Sequence, residues 1–320
     1  MKKINQIFIL LLCAVFALTA CNVFDGGNQA AVEKQVIKIG YLPITHALPL
    51  YLQKDLEAQG FKNFELELVR FGSWPDLIDA LNAGQIDGAS MLITLAMKAK
   101  EQGIPIKTVA LGHRDGNVVV GAKDIATVAD LKGKTFAIPH KFSPHNILLY
   151  QMLKKNNLNY TDVNVVELPP AEMPSALAQG SISGYAVAEP FGAASVVLGN
   201  GNVLYQSTDL WPDSICCALV LRSEFLEGRK EAAQEFVSKY IEAGKLAEQK
   251  DEHTRKVSLQ YLKVDEKVLE QSLEWISYDD LKLDESSYAE LSRLLVEMGL
   301  LENPPKYEDF VDNSFFATAE

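Results

Sequence analysis

Cysteine, positive charge and long hydrophobic runs are all scarce in this sequence, and each scarcity closes off a class of protein. Four of 320 residues are cysteines, at positions 13, 21, 216 and 217. Adjacent cysteines seldom form an unstrained bond, so no disulfide framework is expected. Lysine and arginine number 30 against 42 aspartates and glutamates, a formal net charge of −12, which speaks against a nucleic-acid partner and against a polybasic membrane surface. The apolar run at the N-terminus covers residues 7–18, shorter than the roughly twenty residues a membrane-spanning helix requires. Catalytic signatures are missing as well: there is no G-x-S-x-G elbow, no P-loop, no G-x-G-x-x-G after the first strand, no H-E-x-x-H and no C-x-x-C. No enzymatic activity and no cofactor are expected.

What the N-terminus does contain is ordered. Lys2 and Lys3 precede the apolar run, and Leu18, Thr19 and Ala20 lead into Cys21. A basic start, a short apolar segment and small residues before a boundary are the layout of a secretory signal. The stretch Leu18-Thr19-Ala20-Cys21 resembles the bacterial lipobox, in which cleavage precedes a cysteine that carries a lipid. Residues 1–20 therefore read as a signal peptide, and 21–35 as a lipidated tether, polar and glycine-containing. Losing Lys2 and Lys3 takes the formal charge from −12 to −14, so the lipid on Cys21, rather than basic residues, would hold the chain to the outer side of the cell membrane.

About 300 residues remain, nearly half of them hydrophobic, enough for a large core and more than a single domain usually takes. From residue 36 short β-branched runs alternate with amphipathic stretches of about ten to fifteen residues, the pattern of βαβ units. Strands are expected at 36–41, 64–70, 87–90 and 106–111, and a second series begins near 118. After a strand at 216–222 the chain reads as helical, with segments at 229–250, 253–262, 266–275 and 285–298. This order predicts an α/β protein of two lobes. Residues 36–118 form the first part of lobe one, 119–215 a second lobe inserted into it, and 216–320 a return strand with C-terminal helices packed on lobe one. Cys216 and Cys217 lie in the apolar run 215–221 and read as buried small hydrophobes.

Open α/β sheets bind ligands beyond the carboxyl ends of their strands, where helix N-termini present free N–H groups. The loops after the expected strands hold Thr45 and His46, then Trp74, then His113, then His140 and His145, and finally Glu189. Four of the five histidines fall in these loops, and that clustering makes all seven residues candidates for a ligand site. Neutral imidazole, indole N–H and a threonine hydroxyl suit a small anion or polar heterocycle, while Glu189 suits a cationic group, a hydrogen-bond donor or a metal.

The residues 40–46 (GYLPITH), 73–77 (SWPDL) and 83–89 (AGQIDGA) resemble the substrate-binding proteins of ABC importers for nitrate, bicarbonate, sulfonates, taurine and thiamine precursors. The stretches 169–174, 184–185, 188–191 and 208–211 are most similar to the nitrate and bicarbonate branch. The resemblance implies a type II periplasmic-binding-protein fold whose lobes close on a solute like a hinge, a monomer, and partnership with a membrane permease and its ATPase subunits. It also matches Trp74 and His145 to residues that contact an oxyanion. One departure stands out: where the nitrate-type pattern continues with an anion-binding lysine, this chain has Pro212. Two other readings compete. His46, His113, His145 and Glu189 could supply a zinc or nickel site, although their spacing is dispersed. A related fold acts as an enzyme in pyrimidine-precursor synthesis, but it uses a local histidine and cysteine cluster that the linear spacing does not offer.

Overall fold

The structure, a computed structural model, describes residues 34–318. The expected signal peptide, Cys21 and nearly all of the tether lie outside the described residues, while Gln35, placed in the tether by sequence, opens the first strand. Lys34–Glu320 forms one compact unit. No helix among the described residues is long and apolar enough to cross a membrane.

Twelve strands follow in chain order: β1 (Gln35–Tyr41), β2 (Phe64–Arg70), β3 (Gly88–Leu92), β4 (Ile106–Leu111), β5 (Arg114–Asp115), β6 (Asn117–Ala122), β7 (Thr135–Ile138), β8 (Asn164–Glu167), β9 (Gly184–Ala188), β10 (Gly201–Gln206), β11 (Cys217–Arg222) and β12 (Ile276–Ser277). They form two five-stranded sheets, ordered β2-β1-β3-β11-β4 and β10-β6-β9-β7-β8, and a two-stranded ribbon of β12 and β5. The sheet β2-β1-β3-β11-β4 belongs to the first lobe, and most of its strands are buried on both faces, as expected of parallel strands covered by helices. Its residues join the C-terminal helices in one large core, and two smaller apolar clusters cover the faces of the second sheet.

One strand in each sheet runs against the rest. In the first lobe β11 is antiparallel to both neighbours, pairing Cys217 with Leu92 and Ala218 with Leu111. In the second lobe β6 is antiparallel to β9, pairing Asn117 with Ala188. These are the strands that arrive from the other lobe. Because each enters reversed, its first residue lies beside the last residues of its neighbours, so both crossovers pass through the zone where the carboxyl ends of the two sheets face each other. β3 runs on through Met91 and Leu92, past the end expected at residue 90.

The C-terminal helices Lys230–Gln249, Glu252–Leu262, Glu266–Glu274 and Glu285–Glu297 sit where the sequence puts them. Lys230–Gln249 packs on the first-lobe helix Leu48–Leu56. Two of the others reach the second lobe. Glu266–Glu274 also touches Phe191–Val197 of the second lobe, and Glu297 accepts hydrogen bonds from Tyr150 (2.9 Å) and Lys154 (2.7 Å) on the second-lobe helix Pro144–Lys155.

Candidate functional site

Each candidate side chain is fixed by a local device. After β1 the chain makes a 3-10 turn, Thr45–Ala47, which buries His46. After β2, Ser73 caps the helix Trp74–Asn82: its hydroxyl accepts from the Asp76 N–H (3.3 Å) and donates to the Asp76 carboxylate (2.7 Å). That capping pair holds Trp74 in the first turn. In the second lobe Ser143 caps Pro144–Lys155 by accepting from the Asn146 N–H at 3.1 Å, which sets His145 near the helix start.

The lobes meet on these residues. The Thr45 N–H (2.9 Å) and hydroxyl (3.0 Å) both donate to the Glu189 carbonyl, and the Thr94 hydroxyl donates to the Phe142 carbonyl at 2.8 Å. His46 and His145 lie with parallel rings, centroids 6.4 Å apart, and His46 and His113 are closer still at 3.5 Å. His46, His113, His145 and Glu189 are all 0 % exposed.

The crossovers bring in two residues that sequence reasoning left as structural filler. Cys216 and Cys217 are buried with free thiols, and their sulfurs lie 4.0 Å apart. The Cys217 Sγ is 3.5 Å from Nδ1 of His46, and the Cys217 backbone N–H donates to Nε2 of His113 at 3.3 Å. Donor atoms of His46, His113, Cys216 and Cys217 all lie within 4.8 Å of one another. A local histidine and cysteine cluster therefore exists, although nothing in the linear spacing announced it. The orientation of His46 follows from Nε2, which lies 3.0 Å from the Gly116 carbonyl. A carbonyl only accepts, so Nε2 carries the proton and the lone pair of Nδ1 faces the thiol.

Burial sets the electrostatics. It holds His113 down to about 4, assisted by the neighbouring His46, and holds His145 down to about 4 as well, so both rings are neutral near pH 7. Burial pushes Glu189 up to about 7 against hydrogen bonds from the Ala193 N–H and the Ser272 hydroxyl. For Cys216, burial acts upward, but contacts with Cys217, His145, His113 and His46 bring the thiol well below its ordinary range, while burial and Cys216 push Cys217 well above it. Among the described residues, both ring nitrogens of His145, Nδ1 of His113, Nε1 of Trp74 and the Asn117 amide are buried without a hydrogen-bond partner. Unpaired buried polar groups are costly and mark a site that something else satisfies.

The other candidates sit differently. Nδ1 of His140 accepts from the Phe142 N–H at 3.0 Å, a local loop contact outside the cluster. Thr45 is spent on holding Glu189. The Glu189 carboxylate accepts from the Ala193 N–H (3.0 Å) and the Ser272 hydroxyl (2.9 Å), so it braces the interlobe contact and is not among the clustered donors; neither is His145, which faces them from the second lobe. Trp211, beside the Pro212 departure, is buried, and none of the buried polar side chains among the described residues is a lysine or arginine.

Two α/β lobes joined by two crossovers, with unpaired polar groups gathered where they close, define a solute-binding protein fold. The sequence pattern of the NMT1-like family matches residues 30–262, and the chain belongs to that family. The ligand-binding component of an ABC-type import system from Staphylococcus aureus, solved with zinc bound, is 44% identical with a TM-score of 0.85, covering 90% of this chain and 99% of that one. The periplasmic nitrate-binding protein NrtA of Synechocystis shares the fold at a TM-score of 0.81 and 18% identity, over 90% of this chain and 88% of its own. The nitrate import ATP-binding protein NrtC of Synechocystis is 28% identical over 295 residues, 84% of this chain. This chain spans 43% of that protein's length and less than two thirds of the other curated relatives that head the comparison.

Proposed function

We propose that the protein is the extracytoplasmic solute-binding component of an ABC importer, anchored through a lipid on Cys21, which captures a small solute between its lobes and delivers it to a permease. One observation carries this reading: His46 and His113 from the first lobe and His145 from the second are buried together where the lobes meet, and His113, His145 and the buried Trp74 carry polar atoms that the protein itself leaves unpaired. Relatives named as import components support capture over catalysis.

Closure follows from the geometry. A ligand shifts the lobes only by binding the closed form better than the open one. The closed form adds contacts that opening would break, Thr45 to Glu189 and Thr94 to Phe142 within the cleft and Tyr150 and Lys154 to Glu297 outside it. The ligand then needs to contribute only the remaining difference, through His145 and the first-lobe histidines.

The lining argues against nitrate as cargo. Neither a buried lysine nor a buried arginine is present among the described residues, and His113 and His145 are neutral, so none of these buried groups offers an anion a full positive charge. A metal ion enters as a second reading because four soft or borderline donors converge and the Staphylococcus aureus relative holds zinc.

The test is a panel of oxyanions, sulfonates, pyrimidines and divalent metal ions, scored by thermal stabilisation and by small-angle scattering. At least one member should raise the melting temperature and compact the particle, and His145→Ala should abolish both responses. A panel in which nothing compacts the protein, or in which His145→Ala changes nothing, overturns the reading.

A further inference from the structure

We infer that the cleft takes a thiophilic divalent cation of the zinc class, held by His46, His113, Cys216 and Cys217 and covered by His145 when the lobes close. This names the cargo class of the cleft, and to that extent it rests on the solute-capture reading.

The spacing of the donors carries the argument. Zinc bonds thiolate sulfur at about 2.3 Å and imidazole nitrogen at about 2.0 Å, so the edges of a tetrahedron around it are about 3.8 Å between two sulfurs and about 3.5 Å between sulfur and nitrogen. The structure has 4.0 Å between the sulfurs of Cys216 and Cys217 and 3.5 Å between the Cys217 sulfur and Nδ1 of His46. The remaining donors lie within the 4.8 Å that encloses the set. Four side chains reach this arrangement from three separate parts of the chain, the turn after β1 and the two crossovers.

The surroundings fit a metal as well. A ligating histidine commonly donates its other ring N–H to a carbonyl or carboxylate, which fixes the ring and its tautomer. His46 has that arrangement, with Nε2 on the Gly116 carbonyl and Nδ1 toward the sulfur. A divalent ion with two thiolates and two neutral imidazoles has no net charge, which a fully buried site requires, because an uncompensated charge in the interior is very costly. Ion binding would release whatever protons the two thiols still carry. His145 is wholly buried with neither ring nitrogen paired and lies parallel to His46; it is the second-lobe group placed to meet the ion or a molecule bound to it.

The chemistry also selects among ions. Thiolate and imidazole donors favour zinc and its soft neighbours over magnesium or calcium, which take oxygen ligands. Glu189, a candidate ligand on sequence grounds, is not among the clustered donors; its carboxylate instead accepts from the Ala193 N–H and the Ser272 hydroxyl.

The experiment uses the full chain, reduced and without a polyhistidine tag, titrated with cobalt(II) as the spectroscopic probe and then with zinc. One cobalt per chain should bind, with a near-ultraviolet thiolate-to-metal charge-transfer band and the intense visible bands of tetrahedral coordination, and zinc should displace it. Cys216→Ser and Cys217→Ser should each weaken binding by at least about 100-fold, since replacing a mere supporting partner already costs 10- to 100-fold. His253→Ala, at an exposed side chain paired with Asp55, should leave binding unchanged. Circular dichroism of each variant separates loss of the site from loss of the fold. Absence of the charge-transfer band, or cobalt binding unaltered in the folded Cys216→Ser/Cys217→Ser double variant, overturns the metal site, and the importer reading survives if an organic solute from the panel compacts the protein. Tight 1:1 zinc binding that leaves the scattering profile unchanged instead supports the metal site and overturns capture by closure.

Discussion

Cys217 presents its sulfur 3.5 Å from Nδ1 of His46 across 171 residues of sequence, and the same imidazole is fixed from behind by the Gly116 carbonyl of the first crossover. One ring thus ties the turn after β1 to the two segments that join the lobes, and changes there should be felt in both stability and ligand binding.

His46→Ala removes a buried ring, takes one of its two donors from the Gly116 carbonyl and leaves the Cys217 thiol without its imidazole partner. A loss of about 2–4 kcal/mol in unfolding free energy is expected from the cavity and the lost hydrogen bonds together. Urea denaturation measures it. A loss near zero would mean that the ring is not packed as described.

Gly116→Ala probes the crossover itself. Gly116 has φ of +70°, and an added Cβ would sit 2.7 Å from Ile276, so alanine meets both backbone strain and overlap. Destabilisation of about 1–3 kcal/mol is expected, with a loss of solute-induced compaction measured by scattering, because its carbonyl serves both His46 and the Glu189 N–H.

Acid should weaken the metal-free protein through His145. Its folded value of about 4 lies below the ordinary 6.5, so the unfolded chain takes up the proton first. The contribution is complete above pH 6.5 and is lost as pH falls toward 4, by up to about 3 kcal/mol. Measured across that window, His145→Gln should lose less stability than the wild type. Parallel curves would show that His145 is not buried neutral.

Glu189 works in the opposite sense. Its folded value of about 7 lies above the ordinary 4.5, so the folded chain keeps a proton that the unfolded chain releases. That contribution is complete below pH 4.5 and disappears as pH rises through 7, again by up to about 3 kcal/mol. Melting temperatures should therefore shift in favour of Glu189→Gln as pH is raised from about 5 to about 8.5. A constant gap between variant and wild type would contradict the placement of this carboxyl.

Outside the cleft, Glu297 joins the C-terminal helix to Tyr150 and Lys154 of the second lobe. Glu297→Ala should favour the open form and reduce solute affinity by about two- to fivefold at low salt, with the difference shrinking as salt screens the exposed charges. Calorimetric titration at two salt concentrations reads this directly.

Much of the fold was legible because its signals are local. The short hydrophobic runs marked β1, β2 and β4, and the amphipathic periods of the C-terminal segments reproduced four helices to within about a residue or two. Trp74, His46, His113 and His145 were picked out because they follow strands, a rule that depends only on chain order in an α/β sheet. His140 was picked out by the same rule, yet it makes only a loop contact with Phe142, since position after a strand does not say where a side chain turns.

The sequence by itself determined the alternation of strands and helices, the family pattern and the loops from which ligand groups come, since hydrophobic period and strand-end position are properties of short segments. Only the tertiary structure decided that Cys216 and Cys217 belong with the histidines. An apolar run such as 215–221 reads the same whichever way its strand points. Because β11 enters antiparallel between β3 and β4, its first residues land at the carboxyl ends of the strands beside it, and two thiols that look like core packing become donors beside His46 and His113.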